Sequence, residues 1–367
     1  MPGRYGHWGK HIELFELWEA FNDDPALRQS LAESEGGLLE GTGAPEGRAD
    51  FPLFLQTVIR VRMRERFNAV AAKWRSYMGI ESAQDFREQR VNEMGGIVGM
   101  RPVPEYGEYK RLRSREVPGP AFAVAKHGGI YSVTFELVVN DQTDYILNRT
   151  PRELGRMAGE YKSQVFVAFV ESNPTYIDGT AFFHASRGNV VTGAGADPTE
   201  DNLVTILETM TLRRDVNNIP FTVTPRRVLV RSPRTALRIQ QILRSQQTIE
   251  TTAGAVGAQV FARGSDNPLA YNGGILPPDS VVQEPWFNDA NDWYILGDAA
   301  DRPAFIAAFL RGRQEPFIGL KDPGVRNAMG AGSDPYSWEF DQIDYKVRDI
   351  FGTGMGEPLA AMKMIPS

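Results

Sequence analysis

The sequence predicts a mixed α+β fold organised around one long helix, and three observations support this class. The run Tyr131–Val139 is rich in β-branched and aromatic residues, which predicts a strand. Residues 151–172 then carry apolar side chains at helical spacing, which predicts a helix about 33 Å long. Farther along, short helical and strand-like patterns alternate over residues 196–350. A helix of this length needs a partner surface, and the preceding strand is the nearest candidate.

Sequence signals mark both ends of the long helix. Thr150 is a favourable N-cap, Pro151 suits the first helical position, and Glu153 stands where a capping-box carboxylate reaches back. Ser172–Pro174 ends the pattern, because proline disfavours helical geometry in the residue before it. The helix is predicted to bury one apolar stripe, which comprises Leu154, Met157, Ala158, Tyr161, Val165, Ala168 and Phe169.

Residues 1–90 are predicted to form a mostly helical N-terminal arm. Its first short helix carries Phe15, Trp18 and Phe21 on one side. Short helices flanked by glycine need a surface to pack on, so we expect these aromatic residues to contact a neighbouring subunit or the chain's own core. A longer helix is predicted over Leu53–Met78, where alternate arginines form a solvated face or a contact with an acidic neighbour or with nucleic-acid phosphate.

Residues 95–130 are predicted to form an extended β-hairpin. Arg111, Arg113 and Arg115 recur with a period of two, and Pro118–Pro120 supplies a turn. The hairpin has charged faces and no continuous hydrophobic side, so it is marginal in isolation. We therefore expect the three arginines to contact a neighbouring subunit, with an ordinary exposed hairpin as the alternative.

Helices and strands alternate beyond the long helix. A capped helix follows Asp197–Glu200, a strand covers Val228–Val230, and a helix follows Ser232. The last of these carries Arg234 and Arg238 in a basic stretch, and both are candidate inter-subunit contacts. A long glycine-rich loop is predicted over residues 250–275. Further strands are predicted at Val281–Val282, Trp293–Leu296, Ala304–Leu310 and Trp338–Ile350.

Composition excludes several classes of function. The chain of 367 residues contains no cysteine, which excludes disulfides and thiolate metal sites. Its net charge of −6 gives no overall basic field that would draw it to DNA or a membrane. Its apolar runs are too short to span a bilayer, so no membrane partner is expected.

Catalytic patterns are weak throughout the sequence. Tyr106 and Lys110 have the spacing that short-chain dehydrogenases use for proton transfer, but no dinucleotide-binding glycine turn follows an early strand. His7 and His11 lack the glutamate of the metalloprotease helix. Four aspartates near residues 289–301 are spaced unlike a calcium loop and suit turns and strand ends. We therefore assign no catalytic, cofactor-binding or metal-binding residue and expect no cofactor.

An ordered series of motifs resembles the major head subunit of Mu-type tailed bacteriophages. The series begins with Glu136–Asp141, Leu154–Ala158, Ser172–Pro174 and Asp178–His184. It continues with Arg227–Val230, Trp293–Tyr294, Tyr345–Arg348 and Phe351–Gly352. The resemblance covers about residues 125–355 and implies the Hong Kong 97-type capsid fold, in which the long helix is the spine of the peripheral domain.

The resemblance also implies a domain organisation. An N-terminal arm of residues 1–90 and an extended loop of residues 95–130 precede a peripheral domain of residues 131–195. An axial domain then spans residues 196–300, and residues 301–367 return to the peripheral domain.

The function implied is that of a structural subunit of an icosahedral head, built from hexamers and pentamers around double-stranded DNA. The implied partners are further copies of the chain, a portal, scaffold or cement proteins, and DNA held by weak non-specific contacts. The protein would be assembled in the host cytoplasm and reside in the virion. Two alternatives remain open: an encapsulin-like nanocompartment shell, and an enzyme that uses Tyr106 and Lys110.

Overall fold

The computed structural model describes residues 51–90, 93–98, 103, 105–106, 113–117, 119–134, 136, 149–214, 220–245, 247–252, 261–267, 269, 276–321, 325–326, 333–334 and 340–366. The chain divides into two compact units. One unit contains the described parts of residues 66–131, 153–319 and 345–367. The other contains the described parts of residues 1–65, 132–152 and 320–344.

The described residues contain four α-helices, all at positions that the sequence pattern predicts. They are α1 (Phe51–Arg75), α2 (Thr150–Glu171), α3 (Glu200–Thr211) and α4 (Pro233–Arg244). The long helix α2 ends at Glu171, and Asn173 beyond it adopts a φ of 47°, so the predicted stop before Pro174 is confirmed.

The strands of the first half of the chain are β1 (Gly79–Ala83), β2 (Gln89–Arg90), β3 (Glu93–Val98), β4 (Arg113–Val117), β5 (Ala121–Phe122), β6 (Ala125–Thr134), β7 (Val190–Thr192), β8 (Pro225–Val230) and β9 (Gln247–Thr252). Those of the second half are β10 (Phe261–Asp266), β11 (Val281–Gln283), β12 (Trp293–Gly297), β13 (Phe305–Leu310), β14 (Phe317–Leu320), β15 (Val325–Arg326), β16 (Ser333–Asp334), β17 (Gln342–Met355) and β18 (Ala361–Ile365).

Two five-stranded sheets organise these strands. The first has the order β1-β13-β17-β14, with β6 also paired to β17. The second has the order β11-β8-β12-β18-β7. Both sheets are mixed: β1 is parallel to β13 and β11 is parallel to β8, whereas β13 is antiparallel to β17 and β12 is antiparallel to β8 and β18. The predicted α+β class is confirmed.

Aromatic side chains pack α1 and α2 against the first sheet. The ring centroids of Trp74 on α1 and Phe166 on α2 lie 5.3 Å apart in an edge contact. Trp74 also lies 5.6 Å from Phe309 of β13, and Phe166 lies 5.6 Å from Phe351 of β17. The long helix therefore meets a sheet, as its length requires, but this sheet is assembled mainly from strands distant in sequence.

The buried face of α2 is not the predicted stripe: Met157, Tyr161 and Ala168 are exposed, whereas Phe166, Val167 and Val170 are buried. The prediction was wrong because the face that packs inward also carries residues that an apolar pattern does not count, namely Gly155, Gly159, Lys162 and Ser163.

Helices α3 and α4 each bury the apolar stripe that their sequence predicts. The buried residues are Leu203, Ile206, Leu207 and Met210 on α3, and Ala236, Ile239 and Leu243 on α4. The N-cap of α4 is Ser232, as predicted, and it accepts a hydrogen bond from the backbone amide of Thr235. The N-cap of α3 is Thr199, which accepts from the amide of Asn202, so the predicted capped start at Asp197 lies two residues too early.

The start of α2 differs from the predicted capping box. Thr150 is the first helical residue rather than the cap, and its buried hydroxyl has no hydrogen-bond partner among the described residues. The carboxylate of Glu153 binds Arg156 at 2.7 Å instead of reaching back to a backbone amide. The capping box was wrong because a cation one turn ahead on the same helix competes for the carboxylate.

The predicted strand Tyr131–Val139 is displaced towards the N-terminus. The observed strand β6 begins at Ala125 and ends at Thr134, and Glu136 is helical. Strand propensity alone did not locate the boundary, because β6 is extended by its pairing with β17.

Two of the four two-stranded sheets among the described residues test predictions from the sequence. Strands β3 and β4 pair antiparallel, with Glu93 opposite Val117 and Val98 opposite Arg113. An antiparallel pair therefore exists in the predicted hairpin region, but the predicted turn at Pro118–Pro120 is wrong, because β4 pairs with the strand before it and β5 pairs with β2. Strands β9 and β10 also pair antiparallel, with Gln247 opposite Asp266. The segment predicted as a glycine-rich loop is therefore partly β-hairpin, which the sequence pattern missed because its strands alternate weakly.

Candidate inter-subunit surfaces

The most deeply buried charge belongs to Lys162 on α2. Its ammonium group is fully buried, lies 2.9 Å from a carboxylate oxygen of Asp349 on β17, and donates a 2.5 Å hydrogen bond to the carbonyl of Gln314. Burial lowers the pKa of Lys162 and raises the pKa of Asp349, and each charge opposes the shift of the other.

Four aromatic rings surround the same ammonium group. The distances from Lys162 Nζ to the ring centroids are 4.6 Å for Phe67, 5.0 Å for Phe309, 5.4 Å for Phe351 and 5.8 Å for Trp74. Ring faces attract cations, so the rings offset part of the cost of removing this charge from water. The pair joins α2 to the first sheet at the centre of the aromatic core.

Arg213 is a second buried cation. Its guanidinium group donates hydrogen bonds to the carbonyls of Leu359 at 2.6 Å, Gly188 at 2.7 Å and Ala361 at 3.2 Å. Burial lowers the pKa of Arg213 to about 10. The Arg213 side chain therefore joins the start of β18 to the turn that precedes β7. Its role is structural.

Glu284 is a buried acid beside the second sheet. Only 1% of the residue is exposed, and one carboxylate oxygen accepts a 3.3 Å hydrogen bond from the hydroxyl of Tyr77. Burial raises the pKa of Glu284 to about 7, although Lys73 and the tyrosine hydrogen bond act in the opposite direction. Its charge state therefore changes near neutral pH.

The aspartates considered as cation ligands have structural roles where their contacts are described. Asp292 pairs with Lys363 at 2.8 Å, while Asp289 and Asp298 accept hydrogen bonds from backbone amides of their own turns. The described residues contain no group of three or more His, Asp or Glu side chains that could hold a metal ion. Tyr106 is fully exposed. His7, His11 and Lys110 lie outside the described residues.

The glycines near the C-terminus allow close backbone contacts. A Cβ atom on Gly352 would lie 1.9 Å from the carbonyl oxygen of Ala123, and one on Gly356 would lie 2.0 Å from that of Pro303. Side chains at these positions would displace the neighbouring backbone. The glycine-rich pattern therefore serves packing of β17 and the turn that follows it.

An exposed basic face lies on α4. Arg234, Arg238 and Arg244 are exposed, and no ion pair involving them occurs among the described residues. Leu237 lies on the same face with 65% of its surface exposed. An open groove of about 570 Å³ borders this face, lined by Thr199, Glu200, Arg234, Leu237, Arg238, Gln241 and Ile242. The two arginines predicted from sequence thus lie together on one surface.

An exposed acidic face lies on α3, and the sequence analysis did not identify it. Asp201, Thr205 and Glu208 are exposed at helical spacing, and Leu212 just beyond the helix is 69% exposed. Within the described part of the chain, neither carboxylate forms an ion pair. Its sequence signal is the polar side opposite the predicted apolar stripe, where only two carboxylates are spread among threonines.

The other predicted contact residues are placed only in part. Arg113 and Arg115 belong to strand β4, opposite Val98 and Gly95 of β3. Phe15, Trp18, Phe21 and Arg111 lie outside the described residues. All six remain predictions.

No helix within the described ranges is long and apolar enough to cross a membrane.

Comparison with solved structures finds distant likenesses. A structure from Mycobacterium phage Cain is 14% identical, with a TM-score of 0.45 over 79% of this chain and 88% of that chain. One from Microbacterium phage Oxtober96 is 13% identical, with a TM-score of 0.43 over 94% and 99%. A holo-encapsulin complex from Synechococcus elongatus is 11% identical, with a TM-score of 0.42 over 78% and 84%.

Sequence comparisons give one clear relationship. No curated protein matches the chain. A family model described as phage capsid protein matches residues 119–364, which is well over half of the chain. The matched region includes α2, both five-stranded sheets apart from β1, and the helices that carry the two charged faces. This match confirms the capsid recognition predicted from the ordered motifs, and the chain belongs to the phage capsid protein family.

Proposed function

We propose that this chain is the major head subunit of a Mu-type tailed bacteriophage and builds a closed icosahedral shell from hexamers and pentamers. The observation that carries the proposal is the capsid family match over residues 119–364. Membership of this family supports a structural role without catalysis. The predicted Hong Kong 97-type fold is the form in which such subunits tile a shell.

The distribution of charge supports assembly through weak, repeated contacts. The buried charges Lys162 and Arg213 have partners within the chain. The exposed arginines of α4 and the carboxylates of Asp201 and Glu208 on α3 have no ion-pair partner among the described residues. Surface charges of this kind add little to the stability of one subunit, but identical contacts repeated around a closed assembly add up.

The proposed partners follow from the same assembly. Copies of the chain contact one another, a portal occupies one position of the shell, and scaffold or cement proteins accompany assembly. Double-stranded DNA fills the lumen and makes weak, non-specific contacts, in keeping with the net charge of −6. Assembly takes place in the host cytoplasm, and the mature protein resides in the virion.

Expression of the full chain, followed by size-exclusion chromatography and negative-stain microscopy, tests this function. We expect closed shells or rings with five- and six-fold symmetry. Purification of particles from infected or induced cells then tests the contents, and DNA inside the shells is the expected result. Small uniform shells around a cargo enzyme would instead identify a nanocompartment, and stable monomers or dimers would overturn the shell function.

A further inference from the structure

The two exposed helical faces have matching patterns. On α3 the face comprises Asp201, Thr205, Glu208, Thr209 and Leu212. On α4 it comprises Arg234, Leu237, Arg238, Gln241 and Arg244. Each face therefore combines charged side chains, at least one uncharged hydrogen-bonding side chain and one exposed leucine. The signs of the charges are opposite.

We propose that the acidic face of α3 on one copy of this chain packs antiparallel against the basic face of α4 on the next copy. This inference rests on the proposed shell function and specifies which surfaces join neighbouring subunits. The occupant of each face is thus a second copy of the same protein.

An antiparallel register gives both carboxylates of α3 an arginine partner on α4. If Glu208 faces Arg238, then Thr205 faces Gln241, Leu212 lies beside Arg234, and Asp201 reaches Arg244. The axial separations agree, since a rise of 1.5 Å per residue places Asp201 and Glu208 about 10.5 Å apart and Arg238 and Arg244 about 9 Å apart. Side-chain length easily absorbs the difference. A parallel arrangement that pairs Asp201 with Arg238 and Glu208 with Arg244 would place Leu212 beyond the end of α4, away from Leu237 and the groove.

The exposed leucines complete the contact. Leu237 forms part of the groove beside α4 and is 65% exposed, while Leu212 at the end of α3 is 69% exposed. In the antiparallel register Leu212 approaches the end of the groove near Arg234 and Leu237. Burial of both side chains removes apolar surface from water, which adds an attraction that salt does not screen.

Two different faces that complement each other form a heterologous contact. Such contacts produce closed rings when a whole number of copies completes one full rotation, whereas a self-complementary face produces only pairs. Because both faces are present on every copy, each subunit in a ring uses both. A ring of any size is possible, which suits a shell that contains both five- and six-membered rings.

Charge exchange tests this pairing. In the acidic variant, Arg238→Glu and Arg244→Glu make both faces negative, and in the basic variant, Asp201→Arg and Glu208→Arg make both faces positive. In the exchanged variant all four substitutions restore opposite charges. Like charges placed directly opposite oppose association strongly, so we expect each two-site variant to assemble at least about tenfold less than the wild type. The exchanged variant should recover assembly.

Mixing adds a second readout with a specific geometric outcome. When the acidic and basic variants are co-expressed, opposite faces meet only if the two alternate around a ring. Alternation closes in six-membered rings and fails in five-membered rings. We therefore expect sheets or tubes of hexamers without closed icosahedral shells, observed by negative-stain microscopy.

Controls separate folding from assembly. Thermal unfolding followed by circular dichroism checks that each variant folds. Arg226→Glu with Arg313→Glu changes the same charge at exposed positions outside the two faces and should leave assembly intact. Unimpaired assembly of the acidic variant would overturn the pairing, as would failure of the exchanged variant to recover when it folds normally. If the wild type itself forms no shells, the proposed function fails instead.

Discussion

Buried and exposed charges in this protein differ in whether they have partners within the same chain. In the aromatic core, Lys162 meets Asp349 at 2.9 Å, and Arg213 satisfies three backbone carbonyls elsewhere in the interior. On α3 and α4, by contrast, the exposed carboxylates and guanidinium groups form no ion pair among the described residues. A buried charge without a partner is costly, whereas an exposed charge is hydrated at little cost. Charges inside the subunit therefore stabilise its fold, and charges on the two faces remain available to other copies.

Removal of Lys162 should have the largest effect on folding. Lys162→Met leaves the carboxylate of Asp349 in an apolar site without its cation, so we expect the free energy of unfolding to fall by about 3–5 kcal/mol. Urea denaturation of the purified chain measures the change. Lys346→Met, at an exposed position on the same strand as Asp349, is the matched control and should change stability by less than about 0.5 kcal/mol. Equal effects of the two substitutions would show that Lys162 contributes no buried ion pair.

Glu284 should make stability depend on pH. Its pKa is about 7 in the folded chain against an ordinary value of 4.5, so the folded state retains a proton that the unfolded state releases. The contribution of Glu284 to the free energy of unfolding is therefore complete below pH 4.5. It falls by about 3 kcal/mol as the pH rises towards 7. Unfolding of the wild type and of the Glu284→Gln variant across this range measures the difference. If the substituted chain retains the full pH dependence, the assignment to Glu284 is contradicted.

Glycine substitutions compare a crowded backbone with an open one. Gly352→Ala places a Cβ 1.9 Å from the carbonyl oxygen of Ala123, so we expect a loss of about 1–3 kcal/mol as the strands move apart. Gly129→Ala is the matched control, because no atom of the described residues, apart from its own chain neighbours, lies within 4 Å of its added Cβ. Thermal unfolding ranks the two variants. If both lower the melting temperature alike, close approach is not what requires glycine at 352.

Neutral substitutions on α4 should have the smallest effect on folding. Arg238→Gln with Arg244→Gln removes charge without reversing it, and these exposed side chains have no ion pair among the described residues. We expect the free energy of unfolding to change by less than about 0.5 kcal/mol. Assembly yield at low and high salt should differ less for the variant than for the wild type, because screening acts on the removed charges. A large loss of stability would instead show that these arginines stabilise the folded subunit.

Sequence reasoning succeeded where structure depends on neighbours along the chain. Helix α4 begins at the predicted cap, Ser232, α3 begins within two residues of its predicted start, and both helices bury the predicted stripes. These features depend on residues within one or two turns of each other. Strand β6 and the hairpin of β9 and β10 were predicted less well, because the partner that extends or completes each strand is set by pairing rather than by propensity.

Only one of the two faces in the proposed contact was predicted from the sequence. Arg234 and Arg238 were recognised because a basic stretch without carboxylates is visible in the sequence. The acidic face of α3 was missed, since its charges are few and scattered among threonines. Likewise, no local pattern indicated that Lys162 lies inside the core, because its partners Gln314 and Asp349 are distant in sequence.

The sequence by itself determined the long helix, its stop before Pro174, the buried stripes of α3 and α4 and the capsid family. Periodicity and capping depend on local spacing, and ordered motifs reveal ancestry without coordinates. Only the tertiary structure decided which charges are buried with partners and which stay exposed. Burial depends on strands and helices that meet from distant parts of the chain, and desolvation makes the energy of a charge depend on where it lies.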